Sequence, residues 1–597
     1  MKYKIKPTHK YPLGAYCTDN GIRVSAEFKP GKECGIILFL DEETEPIKIA
    51  FPEWARTGRL VSGEIISLEK SNPFLSKDGR GVKYLLFEGE DIYLDPYMCD
   101  GCGFGDFGVV SSPKSRADIS ELYEDKEKVY IANNDCIYYM LHVRGYTAHK
   151  SSKVSKPGTY QGLISKLGYI RELGATSIIL MPVYEFNEII SNPLDSFATG
   201  EIGNNINFWG YTEGYYFKPK ASFAATNNPN AEFRKLVSEV HKKGMEIILQ
   251  FWFPDAYSSR KITDVLRFWK NRYCIDGFQL IGSNVPVDDI CLDPELYGCK
   301  VITEFGINIT SDNFNPNHCS IDSSYMIDLR KFLKGDPNSA YQAALRLKTS
   351  DPITKPIGFI ARQDTMRALD LVSYNEKHNE ANGENGRDGA DYNFSWNCGY
   401  EGITRKKTII SLRERQLKNA WALTLFGQAT PLIYGGDEFA NTQLGNNNPY
   451  NQDNDIGYIK WTNNSLGKEI LDFVKQCIKI RNEHPIIHCG FNLTGRDFLS
   501  LGYPDVSLHG EELWRADLGP TSHCFGILYF DKYADSNDDR LIYILYNMHW
   551  EEQDIALPKL KSNKGWNVVL TNDINNVYKD KKMIHIAPRS FIILEGI

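Results

Sequence analysis

From Asp135 to about Pro485, short apolar runs alternate with helices of amphipathic spacing, and this alternation constrains the fold more than any other feature. IYYML, TSIIL, MEIILQFWF, DGFQLI, KVIT, IGFIA and PLIYG are of strand length and apolar on both faces. Strands of that texture belong to parallel sheets covered by helices. Between them, Leu163, Leu167, Ile170 and Leu173 fall on one helical face, and Phe233, Leu236, Val237 and Val240 on another. At least seven such strands over about 350 residues fit a closed (β/α)8 TIM barrel of the α/β class better than an open doubly wound sheet. No GxGxxG follows any strand, which also counts against a doubly wound sheet, and no cofactor is assigned.

A different texture flanks this block. Residues 1–115 are short alternating runs, among them GIRVSAEF, CGIILFL and VKYLLFEG, parted by Gly, Pro and charged turns. That pattern predicts an N-terminal β-sandwich. Beyond Pro485 the helical period fades, and LIYILYNMH, WNVVLT and SFIILEG predict a C-terminal antiparallel β-domain. The expected domains are therefore 1–115, 116–490 and 491–597.

Composition narrows the function classes. Lys+Arg 68 against Asp+Glu 76 leaves a net charge of −8, without the basic surplus of a protein that tracks phosphate backbones, so nucleic acid is not an expected partner. The N-terminal MKYKIKPTHKYPLGAY has basic residues but no apolar segment behind them, and nowhere do eighteen apolar residues run together. No membrane partner is expected. The 13 cysteines are scattered, with only Cys99 and Cys102 close, as CDGC; reduced thiols in a cytoplasmic protein are the expectation.

In such barrels reacting groups lie at the C-terminal ends of strands. Polar residues follow apolar runs at Gln250 to Asp255, Gln279 to Ser283, Glu304, and Gln363 with Asp364. A single carboxylate there is commonly a loop cap or ion-pair partner. Two on nearby strand ends, Glu304 and Asp364, suggest a working pair, since glycoside chemistry uses facing carboxylates.

Five segments carry a resemblance: YYMLHVRGYT (138–147), GTYQGLISKLGYIRELGATSIILMPVYEF (158–186), NFWGY (207–211), LVSYNEKHNEANGENGRDGADYNFSWNCGYEG (371–402) and PLIYGGDEFANTQLGNNNPYNQDNDI (431–456). Together they resemble the isoamylase, pullulanase and glycogen-debranching branch of glycoside hydrolase family 13, the α-amylase clan. YPLGA and YLDPY are similar to its N-terminal β-sandwich, and APRSFIIL to the close of its C-terminal domain. The resemblance implies an α-glucan site at the barrel mouth, with an Asp nucleophile, a Glu general acid and a second, stabilising Asp. A retaining mechanism of that kind sets nucleophile and acid about 5 Å apart.

Role by role, the carry-over is incomplete. KVITEFG places Glu304 at the acid, and QDTMRALDLVSYN places Asp364 at the stabiliser. DGFQLIGS stands in place of the family's DGFRFDLA, which puts Gln279 at the Arg and Ile281 at the nucleophile. Gln363 and Asp255 occupy the two sugar-contacting His positions, and Gln250 replaces an Asp. Isoleucine has no lone pair with which to attack an anomeric carbon, and removal of a nucleophile in other hydrolases costs on the order of 10⁴-fold or more. Retaining hydrolysis is expected to be abolished. Asp276 precedes the strand core and Asp288 and Asp289 lie beyond it, so none replaces the nucleophile without a register shift.

Trp209 and Tyr211 match family positions where aromatic faces stack on a sugar; core packing is the competing role for Trp209, and Tyr211 has the better claim. His142 is expected to be a hydrogen-bonded strand-end residue rather than a base. The segment Asn375 to Asn397 reads either as a lid tied by its own side chains or as a wall of the groove. The acidic NPYNQDNDI could hold Ca²⁺, but it lacks an EF-hand pattern and oxygen-rich loops of that kind are usually solvated turns, so no metal ligand is assigned.

Two functions follow. The first is a non-hydrolytic protein of the debranching family that binds α-glucan (glycogen, starch or maltooligosaccharide) or partners an active debranching enzyme. The second is an active α-1,6-glucan hydrolase or transferase with a rearranged site; an inverting reaction from Glu304 and Asp364 would need about 6.5–9.5 Å between carboxyls, with a water between them.

Overall fold

The computed structural model describes residues 3–40, 45–68, 82–101, 105, 107–110, 127–191, 204–304, 316–349, 351–461, 464–535, 537–561, 565–573, 578–579 and 582–596. Eight parallel strands close a barrel in chain order: β1 (Tyr138–Leu141), β2 (Ser177–Leu180), β3 (Glu246–Trp252), β4 (Gly277–Ile281), β5 (Lys300–Thr303), β6 (His318–Ile321), β7 (Pro356–Gly358) and β8 (Thr430–Tyr434), which pairs back onto β1 at Tyr138↔Leu432. The runs read from the sequence supply every strand but β6. Its sequence, HCSI, holds no apolar run, because its polar groups pair locally. The His318 ring meets Thr303 Oγ1 at 3.0 Å, and Ser320 Oγ donates to the Thr354 carbonyl at 3.1 Å.

Side chains alternate across each strand, so one set fills the barrel and the other meets the helices. Met140, Ile179, Ile248, Ile302, Ile357 and Leu432 form the inner cluster, while Ile247, Leu249, Phe251, Phe278 and Val301 face outward into the main core. The helical face read from Leu163 to Leu173 is buried but broken: Leu163 sits in the short helix Tyr160–Ile164, and α1 (Leu167–Leu173) carries the rest up to Gly174, which ends it at φ 104°. In α2 (Pro229–Lys242), Asn228 accepts from Ala231 N–H at the N-terminus, and Phe233, Leu236, Val237 and Val240 are buried as expected. Each such side chain contributes about 1.5–3 kcal/mol of burial. At the barrel's N-terminal end Lys300 Nζ lies 2.5 Å from Glu246 Oε1, both buried, and Ser177 Oγ donates to Glu246 Oε2 at 2.8 Å. This plug holds the strands together at the face away from the site.

The N-terminal strands form two antiparallel sheets, of five and six strands, with a core of their own that joins Ile22, Val24 and Ile65 of one to Ile36, Leu38 and Leu86 of the other. In the C-terminal part a five-stranded antiparallel sheet runs in the order Val506–His509, Cys524–Phe530, Leu541–Asn547, Ser590–Gly596, Trp566–Thr571. One of its faces (Phe525, Ile527, Ile544, Phe591, Ile593) joins the barrel's main core; the other (Leu528, Tyr543, Leu545, Ile592, Leu594) packs on a three-stranded sheet. Burial on both faces explains why LIYILYN is apolar without alternation. Among the described residues no helix is long and apolar enough to cross a membrane.

Candidate functional site

The barrel mouth gathers the residues singled out from the motifs. β3 and β4 pair Gln250 with Gln279 and Trp252 with Ile281; β4 and β5 pair Leu280 with Thr303. One further step in that register sets Ile281 beside Glu304, the residue after β5. Inward alternation then lines up Gln250, Gln279 and Ile281 on the face that looks into the barrel.

A residue that the motif reading passed over organises the site. The Arg362 side chain, only 6% exposed, lies against both retained carboxylates. Its Nε and Nη2 donate to Asp364 Oδ1 and Oδ2 at 2.6 and 2.7 Å, a two-pronged contact, while Nη1 lies 2.9 Å from Glu304 Oε1. Burial works against the Arg362 charge, but Asp364 and Glu304 more than offset it and hold the guanidinium protonated. Glu304 and Asp364 keep 26% and 37% of their side-chain surface, so the ion pairs sit at the rim rather than under it. Arg362 directly follows the apolar run IGFIA, one residue before the Gln363 and Asp364 of the motif, and that position was the available signal.

The loop that carries Arg362 is braced from α3 (Ser323–Lys334). Arg330 is fully buried and donates to the Ile360 carbonyl at 2.9 and 2.6 Å, to Thr365 Oγ1 at 3.1 Å and to the Asn393 carbonyl at 2.9 Å. Thr365 Oγ1 in turn accepts from Arg362 N–H at 3.0 Å. Burial pushes the Arg330 pKa down to about 9, against weaker support from Asp364 and Asp437, and its carbonyl contacts satisfy the guanidinium.

Beside the charged trio lies a cluster of amides. Tyr211 Oη donates to Gln250 Oε1 at 2.7 Å and accepts from Gln363 Nε2 at 3.1 Å. Gln250, Gln279 and Gln363 are buried, and among the described residues both ends of the Gln279 amide, Gln250 Nε2 and Gln363 Oε1 lack a hydrogen-bond partner. Buried amides in this state take up water or hydroxyl groups. Trp209 is 4% exposed in the barrel's inner cluster, set edge-on to Tyr211 with ring centroids 5.6 Å apart. Its surroundings are those of a core residue, and its face is covered.

Asp255, Asp276 and His142 bond to other partners. Asp255 is exposed on the loop after β3; its carboxylate accepts from Ser283 Oγ and its carbonyl from Asn284 Nδ2 at 3.4 Å. Asp276 lies at the N-terminal end of β4, bound to His241 at 2.9 Å and Lys128 at 3.2 Å, and Asp288 and Asp289 are exposed at the start of the helix Val287–Leu292. His142 Nδ1 accepts from Gly145 N–H at 3.0 Å, and burial pushes its pKa down to about 3, so the ring is neutral.

The segment 375–397 is tied down by its own side chains. Asn382 Nδ2 donates to Asp388 Oδ2 (2.7 Å) and to the Asn448 carbonyl (2.9 Å), Asn379 Nδ2 to Asn447 Oδ1 (2.9 Å), and Tyr450 Oη to Glu384 Oε1 (2.7 Å). These amides link 379–393 to 446–452 and leave a structural strap beside the mouth. In the acidic loop, Asp453 pairs with Arg144 at 2.7 Å and accepts from Tyr458 Oη at 2.7 Å. No cluster of three His, Cys, Asp or Glu suited to a metal occurs among the described residues, and Cys102 lies outside them.

Comparison with known proteins agrees with this architecture. The family profile described as "Alpha amylase, catalytic domain" matches residues 145–258. Isoamylase 3 of the rice chloroplast (Oryza sativa subsp. japonica) is 29% identical over 615 residues, covering 85% of this chain and 75% of that protein. The glycogen operon protein GlgX homologue of Haemophilus influenzae is 30% identical over 429 residues, covering 58% and 63%. Among solved structures, the pullulanase of Paenibacillus barengoltzii superposes with a TM-score of 0.71 at 15% identity over 98% of this chain and 94% of the other. A GBS pullulanase, SAP, solved in complex with maltotetraose, gives a TM-score of 0.71 at 15% identity over 99% and 88%.

Proposed function

Since the chain belongs to the isoamylase, pullulanase and glycogen-debranching branch of glycoside hydrolase family 13, we propose that it binds α-glucan at the barrel mouth without hydrolysing it. One observation carries this reading: the Arg362 guanidinium spans the carboxylates of Glu304 and Asp364. A general acid must turn its carboxyl toward the glycosidic oxygen, whereas Glu304 Oε1 lies against the Arg362 guanidinium at 2.9 Å. A stabilising Asp must turn its charge toward the anomeric carbon, whereas both Asp364 oxygens are taken by Arg362. Ile281, beside Glu304 in the register, supplies neither a nucleophile nor a base for water.

Ligand binding survives this loss because it asks for different groups. Sugar hydroxyls need neutral donors and acceptors, and the amides of Gln250, Gln279 and Gln363 offer both. The maltotetraose held by the related pullulanase supports α-glucan as the ligand class. The test is a paired assay on the purified chain: reducing-end release from glycogen and pullulan over a long incubation, beside calorimetric titration with a branched maltooligosaccharide. Binding heat without release is the expected result. Release that disappears in Glu304→Gln would overturn the proposal and establish the rearranged active site instead.

A further inference from the structure

An aromatic trail leaves the barrel mouth and reaches the C-terminal domain. Arg330, which braces the Arg362 loop at Ile360, also donates to the Asn393 carbonyl and so fixes the segment Tyr392–Trp396 at the rim. Tyr392 is 69% exposed, with its ring set edge-on to Phe394 at 5.0 Å, and Lys331 Nζ lies 5.1 Å from the Phe394 centroid. Two residues on, the Arg589 guanidinium covers the Trp396 ring at 5.0 Å and donates to the Lys334 carbonyl at 2.8 Å. Arg589 N–H donates to the His549 carbonyl at 3.0 Å, and the His549 ring stacks on Trp550 at 4.1 Å and 24°. Trp550 is 60% exposed. Contact by contact, the trail joins the site loop to the far domain.

The trail is built rather than left over. Phe394 and Arg589 both hold left-handed backbone, at φ 52° and 54°, which bulky residues rarely adopt and which surrounding structure must enforce. The His549 ring that supports Trp550 is fixed in turn, its Nδ1 accepting from Glu551 N–H while the His549 backbone N–H donates to Asn547 Oδ1, each at 2.9 Å. The exposed rings do not form one apolar patch, since Lys331, Arg589 and His523 stand between or beside them. Spaced flat rings with polar groups between them suit a ligand whose faces are apolar C–H surfaces and whose edges are hydroxyls, repeated along a chain.

We infer that Tyr392 and Trp550, the exposed rings at the two ends of the trail, line a second α-glucan-binding track, which holds outer segments of a long chain while the barrel mouth holds an inner one. The inference rests on the α-glucan reading of the mouth and extends it across the seam between barrel and C-terminal domain. It is tested by affinity electrophoresis in glycogen gels and by calorimetry with maltotriose, on the parent chain and on Tyr392→Ala, Trp550→Ala and Trp550→Phe. Loss of one ring contact should weaken glycogen binding by about tenfold, leave maltotriose unchanged, and be largely repaired in Trp550→Phe, which keeps a ring on His549. Glycogen affinity equal to the parent's in both alanine variants would overturn the track, as would a parallel loss of maltotriose. If those variants bind glycogen normally but Tyr211→Ala does not, the mouth alone is the site. A parent chain that binds neither ligand would overturn the α-glucan reading, and the track with it.

Discussion

Replacing Ile281 by Asp would return a carboxylate to the end of β4, one register step from Glu304, yet it would not return the machinery around it. Arg362 would still span Glu304 and Asp364, and Gln279 would still stand where a guanidinium orients the family nucleophile. Ile281→Asp is therefore expected to release reducing ends from pullulan at least about 10⁴-fold more slowly than active relatives. Turnover approaching theirs would show that a single residue had silenced the site. The sequence motifs made Glu304, Asp364, Gln279 and Ile281 legible because each falls in an alignable segment. Arg362 was not legible in the same way: an Arg after a strand normally reaches solvent, and its partner Glu304 lies 58 residues earlier in the chain, joined only when β5 and β7 end at the same rim.

At the scale of elements, the sequence reads best where a strand or helix has one role. β4 and α2 follow their patterns, but β6 hides because HCSI carries buried polar groups that bond to Thr303 of β5 and to the Thr354 carbonyl before β7. GIRVSAEF misleads in a milder way, since Arg23 and Ser25 are buried on the face expected to be open. The Arg23 guanidinium donates to the Tyr11 and Pro12 carbonyls at 3.1 Å, and Ser25 Oγ donates to the Lys10 carbonyl at 2.5 Å. A second buried polar group there yields a pH prediction. Asp95, fully buried after the strand Asp91–Tyr93, has its pKa raised to about 6 by burial, partly offset by the Tyr97 N–H (2.9 Å) and Tyr84 Oη (2.8 Å) that it accepts from. Its folded pKa exceeds the unfolded value, so its contribution to stability is complete below about pH 3.9 and is lost as pH rises through about 6. Asp95→Asn should therefore gain in melting temperature relative to the parent between about pH 4 and pH 7. A difference that stays level over that range would mean that Asp95 does not titrate as its burial demands.

Across the whole molecule, cores rather than sheets define the cooperative units. The barrel and the inner face of the C-terminal sheet share one apolar cluster, in which Phe525 stacks on Phe332 of α3 at 4.9 Å, whereas the N-terminal sandwich encloses a separate core around Ile36 and Leu86. A barrel stripped of the C-terminal sheet would expose Ile527, Ile544 and Phe591 together with its own helices, so these two parts should unfold as one. Scanning calorimetry is expected to resolve two transitions. Leu86→Ala, at a cost of about 2–5 kcal/mol, should lower only the sandwich transition, and Phe525→Ala, at about 3–5 kcal/mol, only the other. If both substitutions displaced the same transition, the seam between sandwich and barrel would be as tightly coupled as either core. The contacts across that seam argue against this, being few and mixed: Asn230 Nδ2 to the Cys99 carbonyl at 3.1 Å, Lys261 to Glu27 at 3.0 Å, Tyr97 and Leu13 against the barrel core with Tyr97 5.2 Å from Phe217, and Tyr215 against the sandwich core. Contacts of that kind orient two bodies without merging their cores. The proposed glucan track, by contrast, crosses the seam where barrel and C-terminal sheet already form one body, so rings 392 and 550 keep their spacing without help from a ligand.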